Sequence, residues 1–384
     1  MKIAFVYDTI YPFVKGGVEK RVWELAVRLT RDGHEVHIFG MKYWDGEPVL
    51  IRDGVIVHGV CPAQSLYAYG RRTFRQAMSF SSHLIIPLLK ERFDIIDCQQ
   101  FPYFSCFSSA FVSLIKKTPL VLTWHEVWGD YWYTYLGRSG FFGKYIERLV
   151  FRITKNMIAV SPTTAGQLSS RGFSGPVSII PNGVDTRRIR AAQPSRETSD
   201  LIFVGRLIRE KHVDLLLRAF HHVLSEQPDC TLLIVGNGPE KEAIRMLIHD
   251  LSLEDRVHCI GFQENHDEII ARMKSSKVCV LPSTREGFGI TALEALACGL
   301  PVVTVDHPAN AIRDLITEKT GFMCVLSAED LAGAISEALR RHADMRQDCA
   351  AAATGYDWDR IAAEIEAYYC SEIAKTCSVE TDMN

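Results

Sequence analysis

Short runs of apolar and β-branched residues alternate with segments of helical periodicity, and this alternation limits the possible folds more than any other feature of the chain. Lys2–Asp8 is the first such run, and apolar residues then recur at helical spacing from Val18 to Leu29. Further strands are predicted at His34–Met41, Val55–Val60, Asp94–Cys98, Leu120–His125 and Met157–Ser161. Strands separated by helices pair in parallel through right-handed crossovers, so the pattern predicts a parallel α/β sheet.

The pattern restarts after a break in residues 181–200, where turn residues from Pro181 to Asp185 precede a polar stretch. A second series of strands is predicted at Leu201–Val204, Thr231–Val235, Val257–Ile260, Val278–Leu281 and Val302–Val305. The chain is therefore predicted to hold two α/β domains, residues 1–184 and 185–355. Residues 356–374 are predicted to form a last helix, and residues 375–384 a frayed tail.

Composition fits a globular protein, with 47% of the 384 residues apolar and 23% charged. The formal charge is −3, but residues 1–190 carry 24 basic and 15 acidic side chains, whereas residues 191–384 carry 19 and 31. This asymmetry favours two domains with different electrostatic roles. The chain has no dense run of Lys and Arg, which argues against a nucleic-acid partner.

The 11 cysteines are scattered with no C-x-x-C spacing, which argues against a disulfide framework or a zinc site. The N-terminal apolar run is too short for a signal peptide. The most apolar later stretch, Phe101–Ile115, contains serines and falls short of the about 18 residues that span a bilayer. The sequence predicts a cytoplasmic protein whose contact with a membrane would be peripheral.

Ligands of parallel sheets bind in the loops that follow the strands. Gly16 and Gly17 precede the first helix, where free backbone amides and the helix dipole favour an anion, although a plain turn is the alternative. Arg206 and Lys211 follow the first strand of the second domain and can converge on a diphosphate. A solvated loop with an ion pair to Glu210 is the alternative there.

Two carboxylates lie in the segment Ser283–Ala295, Glu286 in a glycine-containing loop and Glu294 in the helix that follows. Helical side chains lean towards the helix N-terminus, so Glu294 can point back towards the loop. Carboxylates accept from hydroxyls and free amides donate to phosphate, which suits a polyhydroxylated ligand. Two unrelated glutamates are the alternative. His125 closes a predicted strand and is a further candidate for ligand contact.

Taken in their order along the chain, the short motifs of this sequence resemble those of the retaining glycosyltransferase family four of the GT-B fold. The motifs are Gly16-Gly17, His125, Pro181–Asp185, Gly205–Leu207 with Glu210-Lys211, Gly236–Glu240, and Glu286–Gly289 with Glu294. The resemblance covers about residues 1–370. Within the family, the chain is similar to phosphatidylinositol mannosyltransferases and to capsule or lipopolysaccharide glycosyltransferases. It implies two Rossmann-like, doubly wound parallel-sheet domains facing across a cleft, with the helix after Trp358 crossing back to the first.

The resemblance also implies a donor site for a nucleoside-diphosphate sugar. Arg206 and Lys211 would stabilise the departing diphosphate, and Glu286 and His125 would act at the transferred sugar. Glu294 would accept from the ribose. The other implied donor-binding positions are Gly16, Gly17, Gly205, Gly236, Gly238, Phe262, Gln263, Gly287, Phe288, Gly289 and Ile290. The family often has Asp after the histidine, so Glu126 receives no role.

The implied reaction moves a hexose from GDP-mannose or a UDP-hexose to a glycan or lipid-linked acceptor, with retention of configuration and with neither cofactor nor metal. Fixed cations and amides would stabilise charge on the leaving oxygen. Glu286 is the only carboxylate that this sequence offers as a nucleophile. The D-x-D string Asp357-Trp358-Asp359, a metal motif in another glycosyltransferase fold, begins a helix where Asp is expected as a cap.

The basic first half is expected to meet the acceptor. Arg71, Arg72 and Arg75 lie in a basic and aromatic cluster, and Phe141 and Phe142 lie among further basic residues. These groups are predicted to attract an anionic membrane surface or a lipid phosphate, at about 1 kcal/mol for each basic residue. A solvated helix face, or complementarity to the acidic half, is the alternative.

Three other functions stay open at this point. A sugar-nucleotide epimerase of GT-B shape would act on the donor alone, and the string Glu286–Ile290 argues against it. A non-catalytic nucleotide- or glycan-binding module would not need Arg206, Lys211, Glu286 and Glu294 together. A nicotinamide dehydrogenase is disfavoured because the G-x-G-x-x-G fingerprint is missing.

Overall fold

The computed structural model describes residues 1–64, 67–68 and 71–382, with side chains at residues 1–64 and 73–376. The chain forms two compact units, Met1–Asn182 together with Trp358–Asn384, and Gly183–Asp357. The boundary at residues 182–183 lies close to the expected one at 184–185. The C-terminal segment belongs to the first unit from Trp358 onwards.

The first unit is built on one sheet. Its strands are β1 (Lys2–Val6), β2 (Glu35–Lys42), β3 (Val49–Arg52), β4 (Val55–Pro62), β7 (Ile95–Gln99), β8 (Leu120–Trp124), β9 (Met157–Ala159) and β10 (Val177–Ile179). Outside this sheet, β5 (Tyr67–Ala68) pairs with β6 (Arg71–Arg72) in antiparallel orientation. The strand order is β10-β9-β8-β7-β1-β2-β4-β3 within the described residues, and only β3 runs antiparallel to its neighbour. The order reverses between β1 and β7, which creates a topological switch point there.

Helices cover both faces of this sheet. They are α1 (Gly17–Arg31), α2 (Phe74–Leu89), α3 (Phe104–Lys116), α4 (Tyr131–Leu136), α5 (Gly140–Val150), α6 (Pro162–Ser170) and α13 (Trp358–Asp382). One core cluster lies around Phe80 and Trp124, and the other joins α1 to α13 through Leu25, Trp358 and Tyr369. The first unit thus takes part of its core from the C-terminal end of the chain.

The second unit is a doubly wound parallel sheet. Its strands are β11 (Ser199–Val204), β12 (Leu232–Val235), β13 (Val257–Gly261), β14 (Ser276–Leu281), β15 (Val302–Val305) and β16 (Gly321–Cys324), in the order β13-β12-β11-β14-β15-β16 within the described residues. Its helices are α7 (Thr186–Ala191), α8 (Val213–Glu226), α9 (Lys241–Asp250), α10 (His266–Lys274), α11 (Ile290–Ala297) and α12 (Ala328–Ala353). Order 3-2-1-4-5-6 is that of a Rossmann sheet, with its switch point between β11 and β14.

The predicted class of two parallel α/β domains is confirmed, and the differences lie at the sheet edges. The sequence predicted neither β3, β10 nor β16, which are short and only partly buried, so they lack the continuous apolar run that marks a central strand. Helix α7 occupies the start of the expected linker, because the Asp185 carboxylate caps it through the Arg188 amide. Helix α13 extends past the expected end at residue 374.

Two further features concern the helices and the cysteines. None of the helices in the described part of the chain combines the length and the hydrophobicity needed to cross a bilayer. The cysteines with described side chains are all free, and most of them are buried. Burial raises the pKa of the Cys61 thiol to about 11, so this thiol is held in its unreactive neutral form.

Candidate functional site

The loops after β11 and β14 meet at the switch point of the second unit. Lys211 is the last residue of the short 3-10 helix Arg209–Lys211 after β11, and Glu286 lies in the loop after β14. The Lys211 ammonium forms an ion pair with Oε1 of Glu286, and both side chains are largely buried. The sequence predicted roles for both residues, and the structure brings them into direct contact.

Backbone hydrogen bonds fix the position of Glu286. Its amide donates to the carbonyl of Ala309 over 2.9 Å, and its carbonyl accepts from the Ala311 amide over 2.9 Å. Asn310 between them is fully buried and donates its side-chain amide to Oγ1 of Thr304 and to the carbonyl of Val305. The Glu286 carboxylate therefore projects from a rigid loop that is tied to the end of β15.

Glu294 is nearly buried on α11, and its Oε1 lies 3.0 Å from Nε2 of His266, the first residue of α10. Asn265 caps α10 by accepting from the Asp267 amide and so holds His266 at the helix start. Carboxylate oxygens accept hydrogen bonds from hydroxyls, which is the role that the resemblance implies for Glu294. His266 is a member of this site that the sequence did not reveal.

Close backbone approach explains two of the predicted glycines. A Cβ on Gly236 would lie 1.8 Å from the Gly205 carbonyl oxygen, and one on Gly238 would lie 2.2 Å from the Leu207 carbonyl oxygen. The Leu207 amide in turn donates to the Asn237 carbonyl over 3.0 Å. These glycines let the loops after β11 and β12 pack against each other and so shape the site. Their contact with a donor stays a prediction.

An open groove of about 660 Å³ lies beside these loops, with Gly236, Lys241, Ile260 and Gly261 among the residues that line it. The neighbouring Phe262 ring is 57% exposed. The Gln263 side chain donates to the Ile260 carbonyl over 3.0 Å. The groove thus adjoins Phe262 and Gln263, two of the donor-binding positions that the resemblance implies.

Arg206 and the end of the β14 loop complete the second unit's site. Arg206 is exposed, and its side chain makes no hydrogen bond or ion pair with the residues whose side chains the structure describes. Gly287, Gly289 and Ile290 are partly exposed, whereas the Phe288 ring is buried against Tyr356 at a centroid distance of 6.0 Å. Gly289 caps α11 with φ of +93°, a backbone conformation that favours glycine.

The predicted anion site at Gly16 and Gly17 forms the start of α1 in the first unit, and both residues are exposed. The Glu19 carboxylate lies against this helix start, because a Cβ on Gly16 would be 2.3 Å from its Oε2. Glu19 also accepts from Oγ1 of Thr9 over 2.7 Å. The helix terminus therefore already holds one negative charge, which would compete with an incoming phosphate.

His125 follows β8 at the carboxyl edge of the first sheet. Its Nε2 lies 2.7 Å from Oε1 of Gln99, and its backbone amide donates to Oε1 of Gln100 over 3.1 Å. Burial and then the positive charge of Arg21 hold the pKa of His125 well below its ordinary value of 6.5. His125 is therefore a neutral hydrogen-bonding group at physiological pH.

Family models match both units. The model for Glycosyltransferase Family 4 matches residues 15–188, and the model for Glycosyl transferases group 1 matches residues 185–356. The chain belongs to the family 4 glycosyltransferases. The resemblance read from the sequence is thereby confirmed, and the two matches meet at the boundary between the two units.

Curated relatives of this glycosyltransferase span most of its length. It is 23% identical over 345 residues to the phosphatidylinositol N-acetylglucosaminyltransferase gpi3 subunit of Schizosaccharomyces pombe, which covers 88% of this chain and 73% of the relative. It is 26% identical over 365 residues to the alpha-monoglucosyldiacylglycerol synthase of Streptococcus pneumoniae, covering 90% and 80%. Among solved structures, sucrose-phosphate synthase from Thermosynechococcus elongatus superposes with a TM-score of 0.82 at 22% identity, covering 97% of this chain and 99% of that one. The fold is therefore GT-B.

One cluster in the first unit of the glycosyltransferase brings together the kinds of side chain that ligate metals. His37, His58 and Glu91 place one ligand atom each within 4.8 Å of one another. These groups already bond to each other and to Lys2: Nδ1 of His37 lies 2.8 Å from Nε2 of His58, and the Lys2 ammonium pairs with Glu91 and Glu35. An ammonium among the acidic groups opposes a second cation, so the cluster is explained as a polar network. The expectation of no metal stays a prediction.

The predicted acceptor side of the glycosyltransferase is described only in part. The side chains of Arg71 and Arg72 lie outside the described residues. Arg75 is exposed in the first turn of α2, next to a Phe74 ring that is 64% exposed. On α5, the rings of Phe141, Phe142 and Tyr145 are each more than half exposed, and Lys144 and Arg148 lie on the same helix. Exposed aromatic and basic side chains thus occur together on two helices of the first unit.

Proposed function

We propose that this glycosyltransferase moves a hexose from a nucleoside-diphosphate sugar to a lipid-linked acceptor, with retention of configuration and without a metal. The observation that carries the proposal is the Lys211–Glu286 ion pair beside the exposed Arg206 at the switch point of the second unit. A buried pair at this edge of the sheet supplies a cation for a diphosphate and a carboxylate for sugar hydroxyls.

The chemical roles follow from the groups present. As the bond from the anomeric carbon to the diphosphate oxygen breaks, Arg206 and Lys211 stabilise the negative charge on the leaving group. Glu286 accepts from hydroxyls of the sugar, and Glu294 accepts from the ribose. In a retaining transfer the acceptor attacks from the face that the diphosphate leaves, and a diphosphate oxygen takes its proton. The anomeric coupling constant of the product, read by NMR before it equilibrates, tests this retention.

A ligand panel tests donor binding. UDP, GDP, UDP-glucose, UDP-N-acetylglucosamine and GDP-mannose are each added to the full chain, and its unfolding temperature is measured. A ligand at 100 times its dissociation constant stabilises the folded protein by about 2.7 kcal/mol. The true donor raises the wild-type unfolding temperature but raises that of Lys211→Ala much less. Equal shifts in both proteins would overturn the assignment of Lys211.

The names of two relatives support a lipid-linked acceptor. One acts in phosphatidylinositol N-acetylglucosaminyl transfer, and the other is a synthase of alpha-monoglucosyldiacylglycerol. Both names also specify glucose-type sugars, so UDP-glucose and UDP-N-acetylglucosamine take their place in the panel beside GDP-mannose. Incubation of each donor with and without lipid acceptor separates transfer from epimerisation, because an epimerase would convert the donor sugar without any acceptor.

Peripheral attachment to the cytoplasmic face of a membrane is part of the same proposal. Phe141, Phe142 and Tyr145 offer exposed rings, and the neighbouring exposed Arg148 offers charge for anionic headgroups, whereas Lys144 pairs with Asp130. In flotation with vesicles of phosphatidylglycerol and phosphatidylcholine, the wild type is expected to float at low salt and to float less at high salt. The variant Phe141→Ser with Phe142→Ser should stay at the bottom, whereas Met246→Ser, an exposed apolar control on α9, should float. A wild type that stays at the bottom ends the attachment proposal.

A further inference from the structure

We propose that Gln99 is a positioning residue that fixes the tautomer of His125, with the proton on Nε2 and a free lone pair on Nδ1. The effect on sugar transfer rests on the proposed function, whereas the tautomer itself does not. The residues involved lie in the first unit, at the ends of β7 and β8. They form a buried chain of hydrogen bonds from Asp97 through Gln99 to His125.

The chain of contacts has a defined geometry. The Gln99 side-chain nitrogen donates to Oδ1 of Asp97 over 3.0 Å, and its Oε1 lies 2.7 Å from Nε2 of His125. Oδ1 of Asp97 accepts a second bond from Oγ1 of Thr123 over 2.8 Å. The Tyr369 hydroxyl, which comes from α13, donates to Oδ2 of Asp97 over 2.5 Å. Asp97, Gln99, Thr123 and Tyr369 are all at most 1% exposed.

These contacts determine which way the Gln99 amide points. An ionised carboxylate only accepts hydrogen bonds, so the amide nitrogen faces Asp97 and the amide oxygen faces His125. Burial raises the pKa of Asp97, while its hydrogen bonds and the charge of Arg21 act in the opposite direction. A proton on Asp97 would reside on Oδ2 towards Tyr369, because Oδ1 already receives two donors. The amide orientation is therefore the same in both protonation states.

The amide orientation in turn determines the tautomer of His125. A carbonyl oxygen accepts and cannot donate, so Nε2 of His125 carries the proton that occupies the 2.7 Å contact. A neutral imidazole has only one ring proton, which leaves Nδ1 as an acceptor. In the proposed reaction this lone pair accepts from a substrate hydroxyl, and Gln99 acts through His125 without touching the substrate.

The first test reads the tautomer directly. The full chain is labelled with ¹⁵N in histidine for NMR. The signals of the His125 ring nitrogens are assigned as those that disappear in the His125→Asn variant. The wild type is expected to show a protonated Nε2 with a slowly exchanging proton and an unprotonated Nδ1. Gln99→Leu should speed exchange of this proton at least tenfold, whereas Thr123→Val, which keeps the Gln99–His125 contact, should not. A protonated Nδ1 in the wild type, or unchanged exchange in Gln99→Leu, overturns the proposal.

The second test measures the consequence for transfer. Gln99→Leu should lower kcat at least tenfold with little change in KM, and Gln99→Glu should recover part of the loss because it keeps an oxygen at the acceptor position. Gln99→Glu should also shift the pH profile, since a carboxylate beside His125 favours its protonated form. Normal turnover by Gln99→Leu together with the expected tautomer change overturns the positioning role. Absence of transfer by the wild type would count against the proposed function alone, because the tautomer measurement does not depend on it.

Discussion

At the scale of single residues, the site depends on charges that burial makes effective. Lys211 and Glu286 pair in a largely buried position, whereas Arg206 stays exposed. A cation shielded from water interacts more strongly with a diphosphate than one in bulk solvent. In the proposed reaction the two cations would act on the leaving group in different ways, Lys211 as a fixed charge and Arg206 as a fork that can close on the ligand.

Loss of either cation is expected to remove most of the activity. Arg206→Ala and Lys211→Ala should each lower kcat by about 100–1000-fold, the usual cost of one transition-state donor. Arg218→Ala, an exposed arginine on α8, is the matched control and should retain activity. Circular dichroism and urea midpoints check that the variants are folded. Full turnover by either site variant would contradict the assigned roles.

A second prediction at this scale concerns His58. Burial and the neighbouring His37 lower the pKa of His58 to about 4, below its ordinary value of 6.5. The unfolded chain therefore takes up this proton first as the pH falls. The folded state should lose about 1 kcal/mol per pH unit from this group between pH 6.5 and 4.

The His58→Phe variant tests this pH dependence. The substitution removes the titration and keeps a ring against Phe39, whose centroid lies 4.4 Å from that of His58. Urea unfolding at pH 7.0, 6.0 and 5.0 should show a smaller fall in the free energy of unfolding for the variant than for the wild type. Parallel pH curves for the two proteins would refute the prediction.

At the scale of elements, the loops after β11, β12 and β14 are held by backbone contacts, and at Gly289 a left-handed backbone coincides with a close side-chain neighbour. The φ of Gly289 is +93°, and an added Cβ would lie 2.4 Å from Cγ1 of Ile312. Gly289→Ala is expected to cost about 1–2 kcal/mol from the backbone alone and more from the steric clash. It should also weaken donor binding, since α11 and Glu294 would shift.

Gly333→Ala provides the matched control for this prediction. Gly333 lies within α12, and no atom lies within 4 Å of an added Cβ. Alanine there should stabilise the helix by about 0.5–1 kcal/mol. Urea unfolding and the donor-induced thermal shift of both variants measure the difference. A Gly289→Ala variant as stable as Gly333→Ala would show that the loop adapts to the added methyl group.

The sequence predicted the central elements and singled out Lys211 and Glu286, which the structure brings into contact, but it did not reveal the residues that hold the predicted ones in place. The regular strands and Glu286 could be predicted because periodicity and local motifs act within a few residues. His266, Asn310 and Gln99 could not, since their partners Glu294, Glu286 and His125 are brought near only by the folding of separate strands. Gly236 and Gly238 were predicted from their motif, and the structure adds that close backbone packing requires glycine at both positions.

At the scale of the whole molecule, the C-terminal helix changes the charge of the units. The first unit, which includes Trp358–Asn384, carries 23 Lys and Arg against 20 Asp and Glu, a net charge of +3. The second carries 20 against 26, a net charge of −6. The sequence halves overstated the asymmetry, because the acidic end of the chain belongs with the basic start. The proposed membrane attachment therefore rests on local groups such as those on α5 and not on the net charge of the unit.

The same helix is expected to be essential for the first unit. Trp358, Ile361, Ile365 and Tyr369 are completely buried, so deletion of residues 358–384 would expose an apolar face of the core. The milder Trp358→Ala should cost about 3–5 kcal/mol in the free energy of unfolding, whereas Ala363→Ser on the exposed side of α13 should change it by less than about 1 kcal/mol. Urea unfolding measures both. A Trp358→Ala variant with wild-type stability would exclude a structural role for the helix.

A further prediction for the whole molecule is that sugar transfer does not depend on a metal ion. If Arg206 and Lys211 provide the positive charge for the leaving group, transfer should continue in excess EDTA at an unchanged rate. Inhibition by EDTA that added Mg²⁺ or Mn²⁺ reverses would show that a cation, and not these side chains alone, neutralises the diphosphate.

The sequence by itself determined the alternation of strands and helices, the division into two parallel α/β domains and the family. These properties depend on local periodicity and short motifs, which the order of residues encodes directly. Only the tertiary structure decided that α13 completes the first core, that Lys211 meets Glu286, and that Asp97 and Gln99 orient His125. Such contacts join residues far apart in the chain, so they depend on how the strands are ordered in the sheet and on burial, which strengthens each polar contact by excluding water.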